Sequence, residues 1–174
     1  MTTFYDFTFP TVANILKSEQ HLLDVAETLA KEKDIPVSEL LDARVAPDMW
    51  PLSQQITISC MHAKNAVEKL GGGKVEKEFP FGPASLEDCK SLLAEALKAV
   101  ESVKAEDANA RTAEVVGAYM GAAGELPMVA VDYATGYLLP NLYFHATTVY
   151  DILRGKGASI GKRDFIAPHL KFVK

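Results

Sequence analysis

A four-helix bundle is the fold the sequence predicts, with a short β-hairpin or extended excursion before the last helix, and three observations point to it. Four long segments carry apolar residues at three-and-four spacing, each is bounded by proline, glycine or a capping side chain, and one glycine-rich stretch between the third and fourth has β-compatible residues. The chain has 174 residues, 48% of them hydrophobic, enough for one substantial core and within the usual size of one domain, so residues 1–174 are expected to form a single all-α unit.

The first helix is expected over residues 10–31, where Val12, Ile15, Leu16, Leu22, Leu23, Ala26 and Leu29 make one apolar stripe and His21 falls outside it. The following connection is broken by Pro36, Pro47 and Pro51 and holds a small helical turn capped by Ser38. The second helix is expected over 51–70, starting near Pro51 and stopping at Gly71 to Gly73. Its buried side is Leu52, Ile56, Cys60, Ala63, Val67 and Leu70, and Gln55, Ser59 and His62 form a polar row along the margin.

The third helix, over 85–104, has Ser85 and Asp88 as a capping pair and a regular stripe from Leu86 to Val103. Val115, Val116 and Tyr119, followed by the Gly121 to Gly124 turn, give the hairpin. The fourth helix is expected over 130–154, ending at Gly155, with Pro140 inside it bending the helix and leaving a carbonyl unpaired. The tail after it reads as an ordered, irregular strap.

Composition excludes several roles. With 18 basic and 23 acidic residues the formal net charge is −5, so no basic field exists to neutralise nucleic acid or hold an anionic membrane. No run of about 18 apolar residues and no charged-then-apolar leader with a cleavage site occurs, which sets a cytoplasmic protein as the expectation. Cys60 and Cys89 lack metal or redox spacing and are expected to be reduced core residues. Gly71 to Lys74 lacks the surroundings of a phosphate loop, and no GxSxG or HExxH is present.

The chemistry-bearing stretch is "LPNLYFHATTVYDILRG". At about 100° per residue, Ala134, Leu138, Val149 and Ile152 surround His145, which places it inward, with Tyr137, Asn141 and Thr148 on its side as a polar column. A buried histidine needs partners for both ring nitrogens, so one reading is a satisfied core residue. The other turns the column toward Gln55, Ser59 and His62 and builds a pocket in the bundle interior, with Asp48 reaching its mouth from the preceding loop. In that pocket His145 would act as general acid or base with Asn141 and His62, while Tyr137, Thr148, Gln55, Ser59 and Asp48 orient a small-molecule ligand. Asp164 in "GKRDF" is assigned to a turn or local ion pair.

The blocks "DARVAPDMWPLSQQITISCMHAKNAVEKL" and "LPNLYFHATTVYDILRGKGASIGKRDF" resemble the signature segments of a family of bacterial and fungal proteins known only as a domain of unknown function, grouped with the DinB/YfiT-like bundles. The resemblance spans Phe4 to Phe165. It implies a helical bundle in which a divalent metal is held by three histidines, one on the second helix and an HxxxH pair on the fourth, in proteins that include thiol-dependent transferases and isomerases. His62 matches the second-helix ligand and His145 one of the pair, but Asn141 and Val149 occupy the positions four residues away. The expectation is therefore no bound cofactor, a divalent metal being the exception, and a small-molecule isomerase or transferase. The competing expectation is a non-catalytic binding or interaction bundle, a homodimer being compatible with either.

Overall fold

The computed structural model describes residues 1–82 and 85–171. Helix α1 runs Phe4–Lys33, six residues earlier than the stripe alone suggests. A capping box sets the start: the Thr3 side chain accepts from the Asp6 N–H at 3.3 Å, and the Asp6 carboxylate accepts from the Thr3 N–H at 2.9 Å. Pro10 is the seventh residue of the helix, where it removes one backbone bond while buried Phe9 before it and Val12 after it anchor the turn. Asp34 ends α1 in the left-handed conformation, at φ 52°.

Helix α2, Val37–Leu41, is the small docked helix of the connection, and Pro36 stands at its cap position where Ser38 was expected. Helix α3, Leu52–Asn65, begins after Pro51 and continues into a π-helical turn, Ala66–Leu70, before Gly71. Helix α4, Leu86–Glu101, starts as expected on Ser85, whose hydroxyl accepts from the Asp88 N–H at 3.1 Å. A separate short helix, α5 (Ala105–Ala110), follows, an element the sequence pattern did not predict.

Strands β1 (Val115–Tyr119) and β2 (Glu125–Val129) pair antiparallel, Val115 opposite Val129, around a short 3-10 turn at Gly121–Ala123. The β1 edge is tied to the bundle: Lys69 donates to the Gly117 carbonyl, and the Tyr137 hydroxyl donates to the Tyr119 carbonyl at 2.9 Å. Pro127, at the middle of β2, has no N–H to offer a further strand.

The last long helix is continuous from Ala130 to Gly155 but built in three parts: α6 (Ala130–Asp132), a π-helical stretch (Tyr133–Leu138) and α7 (Leu139–Gly155). Pro140 therefore stands at the start of an α-helical segment instead of within one. The wide turn before it absorbs the missing donor, with the Leu139 N–H reaching back five residues to the Ala134 carbonyl. The expected irregular strap contains α8 (Lys162–Ile166) and a 3-10 turn, Ala167–His169, and both pack on α1. Asp164 accepts from the Gly161 N–H at 2.8 Å, the turn role expected of it, and also faces His21 at 3.3 Å.

Four long helices neighbour one another in a closed cycle: α1 packs on α4, α4 on α3, α3 on α7 and α7 on α1. One contiguous apolar core fills the space between them and includes the free thiols Cys60 and Cys89. Among the described residues, no helix is long and apolar enough to cross a membrane.

Candidate functional site

His145 is buried on α7 with 6% of its surface exposed, as helical phase requires, and it faces α3. Its Nδ1 lies 2.7 Å from Gln55 Oε1, and Gln55 Nε2 donates to the Trp50 carbonyl at 3.0 Å. The order of this relay fixes the protons. A carbonyl only accepts, so the amide nitrogen of Gln55 faces Trp50 and its oxygen faces the histidine; Nδ1 must then be the protonated nitrogen, and Nε2 keeps its lone pair. Burial pushes the His145 pKa down to about 4, so the ring is neutral at pH 7.

Three aromatic rings enclose this imidazole. Trp50 lies near-parallel to it at 6.4 Å between ring centres, Phe144 meets it edge-on at 5.4 Å, and His62 stacks at 5.8 Å. His62 is itself buried, its Nδ1 has no partner, and burial together with neighbouring His145 holds its pKa down at about 4. Tyr137 packs edge-on against His62 at 5.7 Å, so the side chain that ties down the hairpin also touches the histidine pair.

A cleft of about 220 Å³ opens on one side of this group, lined by Asp48, Met49, Trp50, Gln55, Phe144 and His145. A larger concavity of about 460 Å³ lies between the Gly71 to Gly73 turn and α4. Its charged lining residues, Lys74, Glu76, Lys77, Glu95, Lys98, Lys104 and Asp107, are all exposed and of mixed sign. The smaller cleft is the one that reaches a buried titratable group, which makes it the better functional candidate.

The structure sorts the expected residues into three sets. His145, Gln55 and Asp48 share the cleft, with His62 stacked behind the imidazole and Tyr137 behind His62. Asn141 and Thr148 are on the correct helix but serve their own backbone: Asn141 Nδ2 donates to the Tyr137 carbonyl and Thr148 Oγ1 to the Phe144 carbonyl, each at 2.7 Å. Ser59 turns away altogether and donates to Glu19 Oε1 of α1 at 2.7 Å. One turn along a helix rotates the side chain by about 40°, enough for Gln55 to meet α7 and Ser59 to meet α1.

Sequence reasoning missed Trp50, Met49 and Phe144 as lining residues, and Glu19 as a buried acid. Glu19 left a signal: it lies on the α1 apolar stripe, four residues after Ile15 and three before Leu22. Phe144 lies next to His145 in the chain, and Trp50 is the single tryptophan, in the loop directly before α3.

The matching family model, described as Domain of unknown function (DUF1993), covers residues 4–166. The chain belongs to the DUF1993 family. A solved relative of this DUF1993 protein is a DinB family member protein from Shewanella denitrificans, 29% identical, aligned over 93% of this chain and 90% of that one with a TM-score of 0.82. The fold is thus DinB-like. No curated protein matches the chain.

The three-histidine metal set implied by the resemblance does not fit this DUF1993 chain. Asn141 stands at one of the two positions where an HxxxH partner would be, with its amide engaged by the Tyr137 carbonyl, and Val149, at the other, is fully buried among apolar residues. Among the described residues no group of three or more His, Cys, Asp or Glu side chains is arranged to hold a metal ion. Two imidazoles and one amide oxygen already bonded to His145 make a poor donor set for zinc or its neighbours.

Proposed function

We propose that the DUF1993 protein binds a small molecule in the Trp50–His145 cleft and that His145 exchanges a proton with it, in an isomerase- or transferase-type reaction. The observation that carries this reading is the relay from the Trp50 carbonyl through Gln55 to His145, which leaves Nε2 as the basic nitrogen of a neutral imidazole in a solvent-connected cleft. A base held in this tautomer accepts a proton from an O–H, N–H or S–H group of the ligand and returns it later. With its pKa near 4 the ring starts as the base at neutral pH, so proton uptake from the ligand precedes proton return. Gln55 orients the ring and His62 packs against its face.

A second reading, a binding bundle without chemistry, is supported by Asn141 and Thr148, whose polar groups are already engaged by backbone carbonyls and would not orient a substrate. Both readings require the cleft to be open. Diethyl pyrocarbonate at pH 7 acylates a neutral, reachable imidazole nitrogen, and peptide mass spectrometry locates the adduct. His145 should be modified, more slowly than exposed His21 because only 6% of its surface is exposed, and more slowly still in the presence of an occupant. Complete protection of His145 while His21 reacts would overturn the open-cleft reading.

A further inference from the structure

The six residues that line the His145 cleft share a chemical bias. Asp48 contributes an exposed carboxylate, Trp50 and Phe144 contribute aromatic rings, Met49 a thioether, and His145 the lone pair of Nε2. Gln55 is largely committed, with one N–H held by the Trp50 carbonyl and its oxygen held by His145, and it carries no charge. Among the described residues, no lysine or arginine lines the cleft. The nearest cation on the same loop, Arg44, donates to the Met49 carbonyl at 2.7 Å. Asp48 is in no ion pair among the described residues.

A carboxylate or phosphate would thus find no charged partner in this lining, only neutral N–H donors, whereas a positive charge would find a carboxylate and electron-rich ring faces. Aromatic faces attract a cation placed within roughly 6 Å of the ring centre, tryptophan most strongly. Phe81 extends the aromatic wall outward, packing edge-on against Trp50 at 5.8 Å, with more than half of its surface exposed. The volume of about 220 Å³ is several times the space one water takes up, roughly 30 Å³, and so admits a molecule of a handful of heavy atoms.

We propose that the occupant of this cleft is a small organic cation, an alkylammonium or quaternary ammonium that also carries a hydroxyl or N–H group. Its charge lies against Trp50, Phe144 and Asp48, and its donor group meets His145 Nε2. The proposal rests on the ligand-binding reading above and names the class of ligand for that site.

The single tryptophan makes the test direct, since Trp50 alone reports indole fluorescence. Three probes of matched size are titrated: choline, its uncharged isostere 3,3-dimethyl-1-butanol, and the anion 3,3-dimethylbutyrate. Choline should change Trp50 emission saturably and bind roughly 5- to 30-fold more tightly than the alcohol, the range that a cation–aromatic contact supplies. Asp48→Asn, a substitution on an exposed loop, should reduce that preference at least severalfold, and the butyrate should bind weakest. If the alcohol or the butyrate binds as tightly as choline, the cation assignment is wrong while the cleft stands as a ligand site. If none of the three gives a saturable change, both the cation assignment and the ligand-binding reading fail.

Discussion

Gln55 and Ser59 sit one turn apart on α3, both almost completely buried, yet they build two opposite kinds of polar contact. Ser59 reaches α1 and donates to Glu19, a carboxyl with no exposed surface whose second oxygen has no partner. Gln55 reaches α7 and the imidazole of His145, which borders an open cleft. Burial alone therefore does not mark function here. The sealed pair is an internal structural feature of the bundle, and the open pair borders the cleft.

The two pairs also titrate in opposite directions, which offers the largest effect with which to break the comparison. Burial pushes the Glu19 pKa up to about 8, whereas the unfolded chain releases that proton near the ordinary value of 4.5. The folded state thus holds an extra proton between these values, and stability is full below pH 4.5 and declines as pH rises toward 8. Integrated over that window the loss is on the order of 4 kcal/mol. Glu19→Gln should flatten the decline and raise the urea midpoint at pH 8, with little change at pH 5. An unchanged slope between pH 6.5 and 8 in this variant would show that Glu19 is ionised in the fold.

The histidine pair contributes with the other sign. Folded His62 and His145 have pKa values near 4 against an ordinary 6.5, so the unfolded chain takes up protons first as the solution is acidified. Their contribution is present above pH 6.5 and is lost as pH falls through 4, up to about 3 kcal/mol for each ring. His145→Ala should remove part of this acid limb. It should also cost roughly 1–3 kcal/mol at pH 7, through a cavity and an orphaned Gln55 oxygen. Chemical denaturation across pH 4 to 8 measures both limbs in one series.

Asn141→Ala and Thr148→Ala should have smaller effects, below about 1 kcal/mol, because each side chain bonds only a carbonyl of its own helix. Choline titrations of Trp50 emission should be unchanged in both, separating them from Gln55 and His145. The smallest effect belongs to metal removal: a chelator should shift neither the melting temperature nor Trp50 emission, since the donor set lacks its third imidazole. A clear drop in melting temperature on chelation would show that His62 and His145 recruit a further ligand.

Much of this architecture was legible because apolar spacing and end signals act locally. The stripes of α3, α4 and the last long helix, the Ser85 cap and the Gly121 to Gly124 turn each depend on a few adjacent residues, and each lies where the pattern placed it. The start of α1 was expected at residue 10 because the apolar stripe begins near there, whereas the Thr3–Asp6 box that sets the start lies upstream of the stripe. Pro140 was expected to break hydrogen bonding in an α-helix; the π-helical stretch that accommodates it instead has no short sequence signature. At the site, helical phase brought His145 inward and gave it Gln55. Phase could not separate Gln55 from Ser59, because a 40° difference decides the partner only once α1 and α7 are in place. Trp50 escaped notice for a similar reason: a loop residue has no period, and only the folded chain stacks it near the imidazole.

The central claim is that His145 is a neutral imidazole with its proton on Nδ1 and its lone pair on Nε2. Long-range proton–nitrogen NMR correlation on uniformly labelled protein reads the tautomer of each histidine directly, and the same spectra followed from pH 7.5 to 4 give the ring's pKa. For His145 the predicted result is a protonated Nδ1, an unprotonated Nε2 at pH 7 and a pKa far below 6.5, with the tautomer preference lost in Gln55→Leu. A proton on Nε2, or a pKa at or above 6.5, would contradict the account.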